Sequence, residues 1–140
     1  MSHKRPSPLL LLLCLTSVLV VMGCHRITLP AISNVHIEEI LPATLKVTAI
    51  ISGSEIEECG ICYSTTNTSP TLESNDGIIY GSLEGDRFTV RVTLKPKTAY
   101  YIAVFATNEA GRTTSTSMKF TTGVVNPDIK DNPFPGTGKN

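Results

Sequence analysis

The feature that most constrains this 140-residue chain is a two-residue alternation of apolar and polar side chains. The alternation is clearest in Thr44–Ile51 and Phe88–Leu94, where large aliphatic or aromatic residues alternate with Thr, Lys and Arg. A period of two places neighbouring side chains on opposite faces of a β-strand, so both segments predict half-buried strands. Ser115–Thr121 also alternates and predicts a strand, and Val35–Ile40 and Cys59–Ser64 are two weaker candidates.

Tyr100–Ala106 differs from these segments because it is apolar on both phases of the alternation. That pattern is typical of a central strand with two covered faces. Turn-forming residues separate the predicted strands, at Ser52–Ser54, Asp76-Gly77, Lys95–Lys97 and Asn108–Gly111. Six or seven short strands and no helical pattern predict a single all-β domain folded as an antiparallel β-sandwich.

The N-terminal segment has the layout of an export signal. Lys4 and Arg5 precede Leu9–Met22, an uncharged apolar run that is too short to span a bilayer. Gly23-Cys24 follows this run, and the whole arrangement resembles a bacterial lipoprotein signal. The resemblance implies cleavage before Cys24, lipidation of its thiol and anchoring to a membrane. The residues after Cys24 are His25 and Arg26 rather than Asp, which by the same resemblance favours the outer membrane.

These features divide the chain into four predicted parts. They are a signal peptide over 1–23, a tether over 24–33, the β-domain over 34–122 and a disordered tail over 123–140. Without Lys4 and Arg5, ten of the 12 basic residues remain against 12 acidic ones. This slightly negative balance gives no electrostatic reason to expect nucleic acid as a partner.

Leu94, Pro96, Thr98 and Tyr100 form a motif spaced as Leu-x-Pro-x-Thr-x-Tyr. This motif resembles the tyrosine corner of fibronectin type III domains. The resemblance extends over about 34–122 and implies a fibronectin-type-III-like sandwich, a module common in envelope lipoproteins of gut and oral Gram-negative anaerobes. It also implies that the Tyr100 hydroxyl bonds backbone a few residues upstream, and that the domain has a structural or recognition role.

Cys59-Gly60-Ile61-Cys62 is the motif that invites an enzymatic interpretation. A redox pair needs its first thiol at a helix N-terminus, whereas this segment is predicted to be a strand. Three steps along a strand separate the side chains by about 10 Å and place them on opposite faces, so we expect both thiols to stay reduced. A bulge at Gly60 would change this geometry, and a small redox protein remains an alternative.

No other residues form a convincing catalytic or metal site. Cys59, Cys62, His25 and His36 are the obvious ligand pool, but there is no second paired motif, so we predict no metal and no cofactor. The adjacent pairs Glu38-Glu39 and Glu57-Glu58 point to opposite faces of a strand and suit solvated edge charges. We therefore predict a protein that is not an enzyme.

The sequence thus predicts a membrane-anchored module that binds a partner or acts as a spacer, with a scaffold subunit of a fimbrial or glycan-capture complex as the alternative. The segment Thr66–Asp86 is longer than a sandwich connection requires and carries Ile78, Ile79 and Tyr80. We expect it to hold the contact surface for a protein or glycan, with Tyr80 as anchor. The competing interpretation is an edge strand that packs Ile78 and Tyr80 inward.

Overall fold

A computed structural model describes residues 26–124 of the chain. Cys24 and nearly all of the predicted tail lie outside the described residues, so the lipidation and disorder predictions stay untested. Within 26–124 the chain forms nine β-strands and no helix. Consequently, this range contains no helix long and apolar enough to cross a membrane. The strands are β1 (Ala31–Leu41), β2 (Thr44–Ser52), β3 (Glu58–Ser64), β4 (Gly77–Tyr80), β5 (Ser82–Glu84), β6 (Arg87–Thr93), β7 (Ala99–Asn108), β8 (Gly111–Thr114) and β9 (Met118–Thr121).

The strands form two antiparallel sheets that pack face to face. The first sheet has the order β1-β2-β6-β5, and the second has the order β4-β3-β7-β8, with β9 also paired to β7. In immunoglobulin-like nomenclature this is an A-B-E-D sheet facing a C′-C-F-G sheet. The predicted fold class, an all-β fibronectin-type-III-like sandwich, is confirmed.

The core lies between the sheets and is built from the apolar phases of the alternating segments. Phe88 is fully buried, and it belongs to one apolar cluster with the inward side chains of β2, β3, β6 and β7. These include Leu45, Val47, Ala49, Ile51, Ile61, Val90, Val92, Tyr100, Ile102 and Val104. The faces predicted for Thr44–Ile51 and Phe88–Leu94 are therefore correct.

The first strand begins earlier than its sequence pattern indicates. β1 starts at Ala31, so the last three residues of the predicted tether belong to the sheet. Asn34 adopts a left-handed backbone conformation with φ of 51°, and the register with β2 shifts between Ser33 and His36. This irregularity breaks the two-residue period and hides the start of the strand from a pattern search.

The predicted strand Ser115–Thr121 is wrong as a single element. Only its second half, Met118–Thr121, is a strand (β9), while β8 ends at Thr114, before the predicted segment; β8 and β9 pair with opposite ends of β7. Between them Ser115 stays close to β7, since its amide donates to the Val104 carbonyl over 2.8 Å and its Oγ accepts from the Val104 amide over 3.0 Å. The serine hydroxyl thus replaces a main-chain partner at the break.

The extra residues before β6 form an edge that links the two sheets. β4 pairs with β3 in the second sheet, whereas β5 pairs with β6 in the first, and the chain crosses between them at Gly81. A Cβ atom at Gly81 would collide with the ring of Phe88, so only glycine fits this crossing.

The interpretation of Ile78–Tyr80 as an edge strand is correct, but the side chains that it turned toward the core are the wrong ones. Ile79 lies opposite the inward-facing Ile61 of β3 and packs against the core. Ile78 and Tyr80, which the sequence interpretation turned inward, therefore lie on the outward face.

Candidate functional site

The chain enters the sandwich at one end and is held there by a buried asparagine. Asn108 is 3% exposed, and its Nδ2 donates to the carbonyl of Thr28 over 2.7 Å and to that of Ser54 over 3.0 Å. Thr113 Oγ1 donates to the Pro30 carbonyl over 2.6 Å. We call this end, formed by residues 28–30, 53–54 and 108–113, the entry pole. Residues 28–30 are thus fixed to the domain, although the sequence assigned them to a tether.

The described chain leaves the sandwich at the opposite end, where a carboxylate joins two segments. Glu39 Oε1 accepts the Ala43 amide over 2.7 Å and the Gly123 amide over 2.8 Å. The Lys97 amide also donates to the Gly123 carbonyl over 3.1 Å. We call this end, formed by residues 39–43, 94–98 and 122–124, the exit pole. Glu39 is exposed on the edge strand β1, as the sequence analysis expected, and in addition one of its carboxylate oxygens binds two main-chain amides.

Leu94, Pro96 and Thr98 of the tyrosine motif belong to the exit pole, in the crossover from β6 to β7, and Tyr100 follows them in β7. The Lys95 amide donates to Tyr100 Oη over 3.1 Å. Thr98 Oγ1 donates to the Pro96 carbonyl over 2.8 Å, and Leu94 packs against the core. These contacts fix the path of the crossover between the two sheets.

The connection from β3 to β4 folds back over the outward face of the second sheet. We call residues 65–76 the strap. Asp76 Oδ2 closes its two ends by accepting from the Thr65 amide over 2.7 Å and from Thr65 Oγ1 over 2.9 Å. Its middle is tied to the far side of the sheet by an ion pair between Glu73 and Arg112 and by a hydrogen bond from Ser117 to the Thr68 carbonyl. The strap therefore crosses from β3 to the β8–β9 edge.

The strap explains why the predicted central strand is apolar on both phases. Ala103 and Phe105 face away from the inter-sheet core, yet both are buried. Pro70 in the strap is also fully buried, and Cys62 Sγ–H donates to its carbonyl over 3.3 Å. A second, smaller apolar layer thus lies between the strap and the sheet.

The two cysteines occupy different layers of the protein. Cys59 is packed in the inter-sheet core, whereas Cys62 lies on the opposite face under the strap, and neither forms a disulfide. The register of β3 with β7 continues without a bulge at Gly60. Burial raises the pKa of both thiols, which disfavours the thiolate that redox chemistry requires.

Gly60 instead makes room for an aromatic pair. Tyr80 and Phe105 lie on either side of it, and their rings meet edge to face with centroids 5.9 Å apart. A Cβ atom at Gly60 would come within 2.9 Å of the Phe105 ring. Tyr80 nevertheless remains 60% exposed, because Phe105 covers only one side of it.

Tyr80 forms one wall of a groove of about 290 Å³ at the β4–β5 edge. Ile56, Cys59 and Leu83 line the groove, and Glu57 and Glu58 add two carboxylates. Of the predicted contact residues, Tyr80 and Ile78 lie on the outward face and Ile79 contributes to the core.

The predicted ligand pool does not come together in the described part of the chain. His36 is exposed on β1, in the first sheet, whereas both cysteines lie on β3, in the second sheet. His25 lies outside the described residues. Residues 26–124 contain no cluster of three or more His, Cys, Asp or Glu side chains that could hold a metal ion.

Comparison with known proteins adds a remote structural likeness. No known protein family and no curated protein matches the chain. Among the solved structures that match is a fibronectin type III domain derived from the human KIAA0970 protein, with 20% identity and a TM-score of 0.47. The match covers 78% of this chain and 85% of that domain. No residue role or ligand is carried over from it, and the fold assignment rests on the strand order described above.

The contacts of Asp76 and Glu73 predict that the attachment of the strap to the sheet depends on pH. Hydrogen bonds from Thr65 hold the pKa of Asp76 below its usual value, and the hydrogen bond from Arg112 does the same for the pKa of Glu73. A carboxyl with a lowered folded-state pKa stabilises the folded form above its unfolded pKa, and this contribution is lost as the pH falls through the folded value. We expect Cys62 to be protected from a dithiodipyridine reagent at neutral pH and to react below about pH 4, as measured by peptide mass spectrometry.

A matched pair of variants separates the strap from general acid unfolding. Asp76→Ala should accelerate labelling of Cys62 at neutral pH, whereas Asp86→Ala, in the exposed β5–β6 turn, should leave the rate unchanged. Equal labelling of Cys62 in Asp76→Ala and the wild type would show that this carboxylate does not hold the strap.

Proposed function

We propose that the chain is a lipid-anchored module of the bacterial cell envelope that binds a partner without catalysing a reaction. Lipid on Cys24 would provide the anchor, with the outer membrane as its site. The observation that carries the proposal is that Asn108 and Thr113 hold the entering residues Thr28 and Pro30 at one end of the sandwich. Only residues 24–27 precede Thr28 in the proposed mature chain, and four residues span at most about 13 Å.

Such a short linker determines which surfaces are available to a partner. The entry pole would lie against the lipid headgroups, and the exit pole would point away from the membrane. The groove beside Tyr80 lies at the β4–β5 edge, next to the entry pole, because its lining residues Ile56 and Glu57 follow Ser54 closely in the chain. A partner bound there would therefore lie on the flank of the sandwich, close to the lipid headgroups.

Tyr80 and Ile78 are the residues that we propose for contact with a protein or glycan partner. Tyr80 presents a large, amphipathic ring, which packs edge to face with the buried ring of Phe105. A ring held in one position loses little conformational freedom on binding, which is a property of residues that dominate interfaces. Ile79 is excluded from this role because it packs against the core.

Two other functions are less well supported by the geometry. A scaffold subunit of a fimbrial or glycan-capture complex would use the same surfaces, and differs in having a permanent partner. A redox function would require Cys59 and Cys62 to meet, but they lie on opposite faces of β3 and burial raises the pKa of each thiol.

The anchor is tested by expressing the full chain and its Cys24→Ala variant in a Gram-negative host. We expect wild-type protein in the membrane fraction, with an intact mass corresponding to a chain that starts at acylated Cys24. The variant should appear in the soluble fraction, since two or three acyl chains are needed for stable attachment. A soluble wild-type protein with an unmodified N-terminus would contradict the anchor.

The contact surface is tested by cross-linking on intact cells that carry the wild-type chain, Tyr80→Ala or Leu41→Ala. Tyr80→Ala should abolish the cross-linked adduct while lowering the free energy of unfolding by only about 1 kcal/mol, because most of the ring is already exposed. Leu41→Ala is the control, since Leu41 is equally exposed but lies at the exit pole. An adduct retained by Tyr80→Ala and lost by Leu41→Ala would move the contact surface to the exit pole.

A further inference from the structure

A second groove, larger than the one beside Tyr80, lies between the two sheets next to the exit pole. Its volume is about 670 Å³. Tyr63, Thr65 and Asp76 form the wall on the side of the strap, and Thr93–Pro96 form the opposite wall. Tyr100 lies between these walls. The groove is therefore lined by groups from both sheets and by the two ends of the strap.

The tyrosines of this groove have hydrogen-bonding capacity that the described chain does not use. Tyr100 is 4% exposed, and its hydroxyl accepts a bond from the Lys95 amide, but no acceptor for its own proton is found among residues 26–124. The hydroxyl of Tyr63 likewise has no partner within that range, and the two rings pack edge to face at 5.8 Å. Both tyrosines line the groove, and each hydroxyl keeps a proton that it can donate to a hydrogen-bonding ligand there.

The shape of the groove depends on a glycine at the start of β4. A Cβ atom at Gly77 would collide with the hydroxyl and the ring of Tyr63. Any other residue at this position would displace Tyr63 from the groove wall. The glycine thus keeps the phenol in place beside Asp76.

The charges and the remaining surface of the groove define the class of ligand. Asp76 supplies one carboxylate and Lys95 one ammonium group, so the lining has no net charge and does not select an anion or a cation. Leu94 and Pro96 add apolar surface. A ligand that fits must be neutral, must both donate and accept hydrogen bonds, and must offer C–H groups to the tyrosines and the apolar wall.

Sugar rings combine these three properties, and we propose that the groove binds a neutral oligosaccharide. The site is distinct from the contact surface at Tyr80 and lies beside the pole that points away from the proposed membrane anchor. Binding in the groove does not require lipid on Cys24, so failure of the anchor and failure of this site are separate outcomes.

The test is an NMR titration of the isotope-labelled full chain in a zwitterionic detergent. The probes are maltotriose, cellotriose, mannotriose and chitotriose, each added to millimolar concentration. At least one probe should shift amide signals, with the changes confined to the groove residues Tyr63, Thr65, Asp76 and Lys95. Absence of shifts with every probe, or shifts elsewhere in the domain, would overturn the proposal.

Two conservative variants connect binding to the groove itself. Tyr63→Phe removes one hydroxyl and keeps the ring, and should weaken binding by about three- to tenfold. Tyr101→Phe removes a hydroxyl from the outward face of β7 and should leave affinity unchanged, provided that both spectra show the native fold. Equal weakening in both variants, or a stronger response to a lysine-rich or glutamate-rich peptide, would show that the groove is not a neutral carbohydrate site.

Discussion

The side chain of Asn108 makes the contacts on which the proposed orientation of the molecule depends. Its Nδ2 donates to the Thr28 and Ser54 carbonyls, and its Oδ1 accepts the Ala110 amide over 2.9 Å. A buried amide that uses both ends in this way joins three segments that are distant in the chain. The entering chain consequently cannot swing freely, and any anchor placed before Thr28 holds one defined end of the sandwich. The proposed position of both grooves relative to a lipid anchor follows from this contact.

The strap increases the apolar surface that this small domain buries. A sandwich of about 90 residues buries a limited core between its sheets. By covering Cys62, Ala103 and Phe105, the strap adds a second apolar layer on the outer face of β3 and β7. Because polar and ionic contacts hold it on both sides of the sheet, the strap also shapes the groove that Asp76 and Thr65 line. Stability and the candidate carbohydrate site are therefore coupled through the same twelve-residue connection.

Local sequence patterns predicted the parts of the fold that obey a regular period. The alternation in β2 and β6 identified their inward faces, and the two apolar phases of β7 correctly indicated that both of its faces are covered. The pattern could not show what covers the outer face, because the Glu73–Arg112 and Ser117–Thr68 contacts join residues far apart in the chain.

Irregular positions account for the other differences between the predicted strands and those of the structure. The left-handed Asn34 concealed the start of β1. The last predicted strand begins only at Met118, because Ser115 binds the Val104 amide through its hydroxyl instead of continuing the ladder. The phase of β4 depended on its register with β3, which three consecutive apolar or aromatic residues leave ambiguous. The groove at Tyr63 and Tyr100 had no local signal, since its two walls come from strands that meet only in the folded sandwich.

The central claim is that the entry pole lies against a membrane and the exit pole points away from it. The most direct measurement is paramagnetic relaxation enhancement on the lipidated full chain in nanodiscs with spin-labelled headgroups. The account predicts strong broadening of amides at Ser54 and Asn108–Arg112, and little broadening at Lys95 and Asp76. Equal broadening at both poles, or stronger broadening at Lys95 and Asp76, would contradict the proposed orientation.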